Sequence, residues 1–258
     1  MDKKLNCIEF GNSENQTIVF LHGLGATHRY WLEGLDKLTP HFHVVLLDLL
    51  GFGDSPRPWQ IYTQEKHILA INDVLKNYSS FILIGHSLGA ALSLAYAEHY
   101  PKHVKGLILI SLPLFNKQPD AYKWMRRTPS GWLLTNMLAT ALICVVTRFL
   151  ARKLLHHFLK QYPKEIIDDL VKHNMFSSTT SLWKVIYNQS ILNDLVLLRG
   201  QLKIVCIHAI NDKTAPYTTV QDLVKDHVDW VLYTLNAGDH HPWLWQKEKC
   251  IKIIKGLF

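Results

Sequence analysis

The stretch Phe81–Ala91 (FILIGHSLGAA) constrains the fold of this chain more than any other part of the sequence. Four consecutive apolar residues are typical of a buried strand, and small and apolar residues then continue to Tyr100 with good helix propensity. Between them lies Gly-x-Ser-x-Gly, whose glycines allow close packing around a strained serine. This pattern also occurs by chance in ordinary turns. A strand before it and a helix after it favour Ser87 as a nucleophile at a helix N-terminus.

Composition places the chain among globular proteins. Hydrophobic residues make up 48% of its 258 residues, and this length suits one α/β domain with a full core. The first residues, Met1–Asn6, carry lysines with no apolar run behind them, so we expect no signal peptide. The four cysteines are widely separated and three lie in apolar segments, which predicts buried thiols in a reducing, cytoplasmic environment.

Fifteen histidines raise the question of a metal site. The closely spaced ones are His41 with His43, His156 with His157, and His240 with His241. None of these pairs is accompanied by a convincing set of carboxylates or thiolates. We therefore expect no bound metal.

Strand and helix patterns alternate along most of the chain. Short apolar runs bounded by turn residues predict buried strands, and amphipathic periodicity between them predicts helices. This alternation is typical of a doubly wound, mostly parallel α/β sheet. The predicted strands are Leu5–Phe10, Thr17–Leu21, Val44–Asp48, Phe81–Ile84, Val104–Ile110, Leu202–His208 and Val231–Leu235. The predicted helices of this part are His28–Leu38, Gln64–Tyr78, Tyr217–His227 and Trp243–Leu257, besides the one after Ser87.

The alternation stops after Pro113 and resumes at Leu202. From Phe115 to about Ile191 the sequence carries only helical patterns, punctuated by prolines. We therefore expect a helical cap, residues 115–191, inserted into a core formed by residues 1–114 and 192–258.

Five motifs together resemble those of the α/β-hydrolase superfamily, over essentially the whole chain. They are His22-Gly23, the loop Asp48–Ser55, Gly85-His86-Ser87-Leu88-Gly89, Asn211-Asp212-Lys213 and Gly238-Asp239-His240-His241-Pro242. The set is specific for the fold and for a serine–acid–histidine triad, and poorly specific for the substrate.

The resemblance implies that Ser87, Asp212 and His240 form this triad. A serine hydroxyl becomes a good nucleophile when an imidazole takes its proton, and a carboxylate orients that imidazole. Asp212 follows a predicted strand, whereas the competing Asp194 precedes it. His240 competes with His241 and is favoured because the base of the family precedes a proline by two residues.

Two backbone amides complete the expected site. The amide of Leu24, after a His-Gly pair that could also be a simple turn, and the amide of Leu88, after the nucleophile, are expected to hold the oxyanion. Asp48 and Asp54 lie in a compact loop after another strand. For these two residues we expect loop-fixing hydrogen bonds rather than a catalytic role.

The expected activity is that of a serine hydrolase acting on a small apolar ester or related acyl compound, without a cofactor. A serine at position 87 disfavours dehalogenase and epoxide hydrolase chemistry, for which related proteins use aspartate. Two alternatives remain open at this point. One is a carbon–carbon bond hydrolase with the same triad, and the other is a non-catalytic binding protein on the same fold.

Positive charge is concentrated in the expected cap. Between Lys117 and Lys164, nine Lys or Arg residues stand against the single acid Asp120, an excess of eight positive charges. Since the whole chain carries +7, the remainder carries a net −1. This asymmetry needs its own explanation.

The favoured explanation is a cap helix that packs apolar side chains over the site. The alternative is a peripheral contact of a basic amphipathic surface, including Arg148, Arg152 and Lys153, with an anionic membrane. The apolar run Gly131–Leu150 approaches the length of a membrane span, but threonine and asparagine interrupt it, so we expect no transmembrane helix. No nucleic-acid-binding motif accompanies the charge, so we expect no nucleic-acid partner.

Overall fold

A computed structural model describes residues 4–158, 160–188, 202–227 and 229–257, with the backbone alone at 147–156 and 158. The strands are β1 (Cys7–Phe10), β2 (Thr17–Leu21), β3 (His43–Leu47), β4 (Phe81–His86), β5 (Val104–Ile110), β6 (Ile204–Ala209) and β7 (Trp230–Leu235). Within the described residues these seven strands form one sheet in the order β1-β3-β2-β4-β5-β6-β7. β1 is antiparallel to β3 and the other neighbouring pairs are parallel. The predicted mostly parallel α/β sheet is confirmed.

Helices lie between the strands and after the last one. They are α1 (Arg29–Leu32), α2 (Gln64–Leu75), α3 (Leu88–His99), α4 (Gln118–Met125), α5 (Pro129–Leu133), α6 (Met137–Phe158), α7 (Lys164–Asp169), α8 (Met175–Ser181), α9 (Tyr217–Lys225), α10 (Pro242–Trp245) and α11 (Lys247–Leu257). The described chain between β5 and β6 contains helices α4 to α8 and a short π-helix, Leu182–Ile186. Across the described residues, no helix combines the length and the apolar character needed to cross a membrane.

The central strands are buried on both faces, as expected where helices cover a parallel sheet. Successive side chains of a strand point to opposite faces. In β2, Val19 and Leu21 accordingly pack in the apolar cluster that includes Leu92 of α3, while Ile18 and Phe20 pack in the cluster that includes Trp31. This double burial explains why these strands appear in the sequence as continuous apolar runs. Packing on both faces also holds the carboxyl ends of these strands in place, and the candidate site lies at those ends.

The prediction of one helix over His28–Leu38 is wrong. α1 ends at Leu32, a 3-10 turn spans Leu35–Lys37, and Gly34 between them has a φ of +95°. A Cβ atom on Gly34 would lie 2.8 Å from side-chain atoms of both Ile251 and Lys247 on α11. The close approach of α11 therefore coincides with the break, and this tertiary contact is absent from local periodicity. The predicted helix Trp243–Leu257 is likewise divided into α10 and α11.

None of the four cysteines, all within the described residues, forms a disulfide. Cys144, Cys206 and Cys250 are buried, and Cys7 is half-buried. Burial raises the pKa of Cys206 and of Cys250 to about 12, so both thiols stay protonated near neutral pH. The expectation of buried thiols without a disulfide framework agrees with this arrangement.

His67 is a fully buried side chain at the contact between α2 and α8. Its Nε2 lies 2.9 Å from the Ser181 hydroxyl oxygen, and its Nδ1 has no hydrogen-bond partner among the described residues. Burial, with a smaller contribution from the nearby His22, lowers the pKa of His67 to about 3. A histidine in an unfolded chain has a pKa of about 6.5. Between about pH 6.5 and about pH 3, therefore, the unfolded chain binds a proton at His67 and the folded chain does not. The free energy of unfolding thus falls as the pH drops through this range.

We expect His67 to account for about 2 kcal/mol of the unfolding free energy lost between about pH 7 and about pH 5. Denaturant unfolding of the wild-type protein and His67→Gln at both pH values measures this contribution. The exposed His41 offers a matched control, and His41→Gln should keep the wild-type pH dependence. An identical pH dependence in His67→Gln and wild type would contradict the assigned titration.

Candidate active site

Ser87 lies on the tight turn between β4 and α3. Its φ of +52° and ψ of −114° lie outside the regions that residues other than glycine ordinarily adopt. The amide of Ser87 donates to the carbonyl of Ile110 at 3.0 Å, which ties the turn to the end of β5. The surrounding sheet thus holds a strained turn that places Ser87 at the N-terminal end of α3, as the sequence predicts.

Three predicted side chains converge at this turn. Ser87 Oγ lies 2.9 Å from Nε2 of His240, and Nδ1 of His240 lies 2.9 Å from Oδ2 of Asp212. An ionised carboxylate can only accept hydrogen bonds, so Nδ1 of His240 carries the proton and Nε2 accepts the Ser87 hydroxyl. The fold therefore joins residues that are up to 153 positions apart in the sequence.

His241, the competing histidine, is oriented differently. Its ring lies 5.7 Å from that of Tyr162 and 5.9 Å from that of Tyr30. Its Nδ1 is buried and has no hydrogen-bond partner among the described residues. Burial and the neighbouring His240 lower the pKa of His241 to about 3. The geometry therefore pairs Ser87 with His240 and leaves His241 as a neutral ring in the wall of the site.

Asp212 is buried in the loop that follows β6. Its Oδ1 accepts hydrogen bonds from the amides of Thr214 and Ala215, both at 2.8 Å, and its Oδ2 lies 3.3 Å from Nε2 of His208. Burial raises the pKa of Asp212, but the interactions with His240 and His208 outweigh it and bring the pKa well below the usual range. The carboxylate is therefore ionised and fixed in orientation at neutral pH. The competing Asp194 lies outside the described residues.

His86, directly before Ser87, holds the backbone of His240. Its Nε2 donates to the carbonyl oxygen of His240 at 2.7 Å. Because a carbonyl only accepts, this bond assigns the proton to Nε2 and leaves Nδ1 of His86 without one. Burial, with the nearby His240 and His241, brings the pKa of His86 well below the usual range. The sequence contains His86 in the serine motif, but no pattern there identifies this positioning contact.

Asp239 connects the loops that carry Asp212 and His240. Its Oδ1 accepts a hydrogen bond from the amide of Lys213 at 3.2 Å, and its own amide donates to Oδ1 of Asn211 at 3.1 Å. The φ of Asp239 is +47°, a region that aspartate tolerates better than most residues. No pattern in the sequence indicates these bonds between the two loops.

The His22-Gly23 loop packs against the Ser87 turn. A Cβ atom on Gly23 would lie 2.7 Å from Nδ1 of His86 and 3.3 Å from Cβ of Ser87, so only glycine fits there. His22 connects this loop to the residues after β3. Its Nδ1 donates to the Gly23 carbonyl at 2.8 Å, and its Nε2 accepts from the amide of Leu49 at 2.9 Å. The loop therefore lies beside the nucleophile at the position expected of an oxyanion loop.

The two amides expected to hold the oxyanion belong to Leu24 and Leu88, the residues that follow Gly23 and Ser87 in the sequence. Leu24 follows Gly23 and lines the cavity next to the site. Leu88 is the first residue of α3, and the first amides of a helix have no partner within that helix. Both positions are compatible with donation to a substrate carbonyl near Ser87.

Asp48, at the end of β3, fixes several loops. Its carboxylate accepts from the amides of His28 and Asp54 at 2.6 and 2.9 Å and from Nδ2 of Asn6 at 2.9 Å. Burial raises the pKa of Asp48, but the hydrogen bonds from His28 and the proximity of His22 bring it well below the usual range. Among the described residues His28, Asp48 and Asp54 have ligand atoms within 4.8 Å of one another. Donors already occupy the Asp48 oxygens, so these contacts favour the expected loop-fixing role over a metal site.

An apolar cavity of about 240 Å³ adjoins the site. His86 and His241 line it on the side of the candidate triad, together with Gly23 and Leu24. The other wall comes from α7 and its surroundings, with Tyr162, Ile166, Ile167 and Leu170. A larger open groove of about 1080 Å³ lies among Lys4, Arg57, Asp73 and their neighbours, away from Ser87. The smaller cavity is the better candidate for a substrate pocket, because His86 and His241, the neighbours of Ser87 and His240 in the sequence, line it.

Comparison with known proteins identifies the family. Residues 16–227 match the family model described as alpha/beta hydrolase fold. The "Probable 1-acylglycerol-3-phosphate O-acyltransferase" of Oryza sativa subsp. japonica is 33% identical over 150 residues, which are 52% of this chain and 35% of that protein. The "Probable lysophospholipase BODYGUARD 1" of Arabidopsis thaliana is 32% identical over 114 residues, or 41% and 24%. The chain thus spans about a third or less of the length of these curated relatives.

Solved structures agree at the level of the fold. A carboxylesterase from the thaumarchaeon Nitrososphaera gargenis superposes with a TM-score of 0.77, covering 98% of this chain and 93% of that chain. The two sequences are 18% identical, so this likeness concerns architecture alone. Because the family model spans most of the sequence and the sheet has the matching architecture, the chain belongs to the α/β-hydrolase fold family.

Proposed function

We propose that the chain is a serine hydrolase that cleaves an apolar ester or a related acyl compound through an acyl-enzyme on Ser87. The observation that carries the proposal is the hydrogen-bonded series Asp212–His240–Ser87, in which His240 Nε2 lies 2.9 Å from Ser87 Oγ. A serine hydroxyl is a weak nucleophile, and an unprotonated imidazole nitrogen at this distance is within reach of its proton.

In the proposed first step, Ser87 Oγ attacks the carbonyl carbon while its proton passes to Nε2 of His240. The amides of Leu24 and Leu88 stabilise the oxyanion of the tetrahedral intermediate. His240 then gives the proton to the leaving alcohol, the C–O bond breaks, and an ester on Ser87 remains. His240 next deprotonates a water molecule, which attacks the carbonyl carbon of this ester. His240 then returns the proton to Ser87 Oγ as the bond between Oγ and the acyl carbon breaks, and the carboxylic acid is released.

Asp212 stabilises the imidazolium that forms in each half of this reaction. Its interactions with His240 and His208 keep its pKa low despite burial, so it stays ionised while His240 gains a proton. The amides of Thr214 and Ala215 hold the carboxylate in place. His86 and Asp239 position the loop of His240, so the reacting atoms require little rearrangement when the substrate binds.

The apolar cavity is the proposed site of the acyl chain. Its volume of about 240 Å³ holds roughly eight groups of the size of a water molecule, which suits a chain of medium length. Ile166 and Ile167 of α7 contribute to its wall, so the helical segment takes part in substrate binding in this proposal. We accordingly propose that residues 115–191 act as a cap on a core of residues 1–114 and 192–258.

A chain-length series of p-nitrophenyl esters tests this function. We expect turnover to be highest for acyl chains of roughly four to eight carbons, because shorter chains leave the cavity unfilled and longer ones exceed it. The Ser87→Ala protein is the control for each ester. Hydrolysis that is equal in wild type and Ser87→Ala across the series would contradict the proposal.

Acyl transfer is the second candidate function, and the rice relative is the observation that favours it. A serine-bound acyl group can be taken by water or by another hydroxyl group with the same triad chemistry. Adding 1-acylglycerol-3-phosphate to the ester assay separates the two outcomes. A diacyl product would favour transfer, and free carboxylic acid alone would favour hydrolysis.

A further inference from the structure

Helices α5 and α6 expose large apolar side chains to solvent. Leu138 is 82% exposed, Leu142 64% and Trp132 53%. Positions 138, 142, 145 and 146 are one or two helical turns apart, so they share one face of α6. The exposed set, termed here the apolar face, is Trp132, Leu133, Met137, Leu138, Leu142, Val145 and Val146.

The packed side of α6 carries smaller and more polar residues. Thr140 and Cys144 are buried, and Cys144 Sγ lies 2.9 Å from Ser178 Oγ on α8. A surface helix of a globular protein normally turns its apolar stripe toward the core. In the described part of α6 the large apolar side chains face solvent and the smaller, more polar ones are buried. An exposed apolar patch of this kind marks an interaction surface.

The basic border of the apolar face lies at the end of α4, where Arg126 Nε donates to Thr135 Oγ1, between α5 and α6, at 3.0 Å. Lys123, Arg126 and Arg127 are exposed. The Arg127 guanidinium lies 4.3 Å above the ring of Trp124, whose Nε1 donates to the carbonyl of Lys213 at 2.9 Å. The basic border therefore adjoins the loop that carries Asp212. Between positions 117 and 146 the sequence holds four Lys or Arg residues and one acid, so this region is net positive.

We propose that the apolar face docks the protein on an anionic lipid bilayer. The leucines and Trp132 enter the headgroup boundary, as the apolar side of an interfacial amphipathic helix does, and the basic border meets anionic headgroups. A second copy of this chain would bring two positive surfaces together, which like-charge repulsion opposes. The sequence also suggests Arg148, Arg152 and Lys153 for such a contact, but their side chains lie outside the described ones.

Vesicle flotation of the full chain tests the proposal without reference to turnover. The wild-type protein should bind phosphatidylcholine vesicles that contain phosphatidylserine more tightly than phosphatidylcholine alone. Salt at about 1 M should weaken this binding, because the Debye length shortens to about 3 Å. Lys123→Gln with Arg127→Gln should reduce binding to the anionic vesicles and not to the neutral ones.

Leu138→Ser with Leu142→Ser should weaken binding about tenfold or more, since a buried leucine contributes roughly tenfold to a partition constant. Leu69→Ser is the matched control, because Leu69 is 55% exposed on α2 and lies outside the apolar face. Thermal unfolding of each variant confirms an intact fold. The proposal is overturned if the wild-type protein does not bind anionic vesicles. It is also overturned if the double variant Leu138→Ser, Leu142→Ser binds them as tightly as Leu69→Ser does. A third contrary result would be a wild-type protein that is a dimer in solution and a double variant that is a monomer.

Discussion

Ser87→Ala and His240→Ala are each expected to lower the turnover of a p-nitrophenyl ester by about three orders of magnitude or more. The reason is that Ser87 Oγ and His240 Nε2, 2.9 Å apart, act on the same proton in the same step. Removing either group leaves only binding and oxyanion stabilisation. The double variant should therefore lose little more than either single variant, because residues that act as a unit are not additive.

His241→Ala is the informative comparison for this prediction. His241 is adjacent in sequence and lines the apolar cavity, but its Nδ1 is buried and unpaired among the described residues. We expect its replacement to act mainly on KM. A crippled His241→Ala protein beside an active His240→Ala protein would reverse the assignment of the base. Unchanged thermal unfolding of all variants excludes loss of the fold as the cause.

Gly89→Ala is expected to destabilise the fold by about 3 kcal/mol or more, or to prevent folding. A Cβ atom on Gly89 would lie 2.2 Å from the carbonyl oxygen of Leu21 and 2.7 Å from that of His22. Both are backbone atoms at the end of β2, which pairs with β3 on one side and β4 on the other. Neither can move without disturbing the middle of the sheet. Soluble yield and denaturant unfolding measure the effect.

Gly256→Ala is the matched control for this glycine substitution. Gly256 lies near the end of α11, and a Cβ atom there would meet no atom within 4 Å. Alanine at this helical position should stabilise the protein by about 0.5–1 kcal/mol. A Gly89→Ala protein with wild-type stability would contradict the close approach of α3 to β2.

Much of the fold is predictable because buried parallel strands leave a local signal. Thr17–Leu21 and Val104–Ile110 have the predicted bounds, since each contains a run of four apolar residues, 18–21 and 107–110, that ends at turn residues. The break at Gly34 was not predictable, because it coincides with packing against α11 from the other end of the chain. Periodicity reports which face a helix buries, and it says nothing about a partner more than two hundred residues away.

The candidate site also has a part that the sequence predicts and a part that it does not. Ser87 follows from a strand, a tight turn and a helix that are contiguous in the sequence. Asp212 and His240 lie in separate loops, and the resemblance to a family, rather than local pattern, singles them out. The supporting contacts of His86, Asp239 and His22 depend on loops that meet only in the folded chain. Single buried histidines are too common in sequences to indicate such roles.

The exposed apolar residues of α6 show a further limit of the sequence. The composition of this region suits either a cap packed over the site or a surface that meets a membrane. Leu138 and Leu142 are exposed while Thr140 is buried, because of the way α6 packs against α7 and α8, which the sequence does not reveal. The side chains of the next apolar residues of this helix, Phe149, Leu150, Leu154, Leu155 and Phe158, lie outside the described ones.

Reaction of the wild-type chain with a fluorophosphonate, followed by trypsin digestion and peptide mass analysis, tests the acyl-enzyme on Ser87 most directly. One label per chain should appear on the peptide spanning residues 77–102, with the modification at Ser87. Labelling should be absent in Ser87→Ala and far slower in His240→Ala, because the hydroxyl then lacks its base. A wild-type protein that remains unlabelled, or a label on any other residue that persists in Ser87→Ala, would contradict Ser87 as the nucleophile.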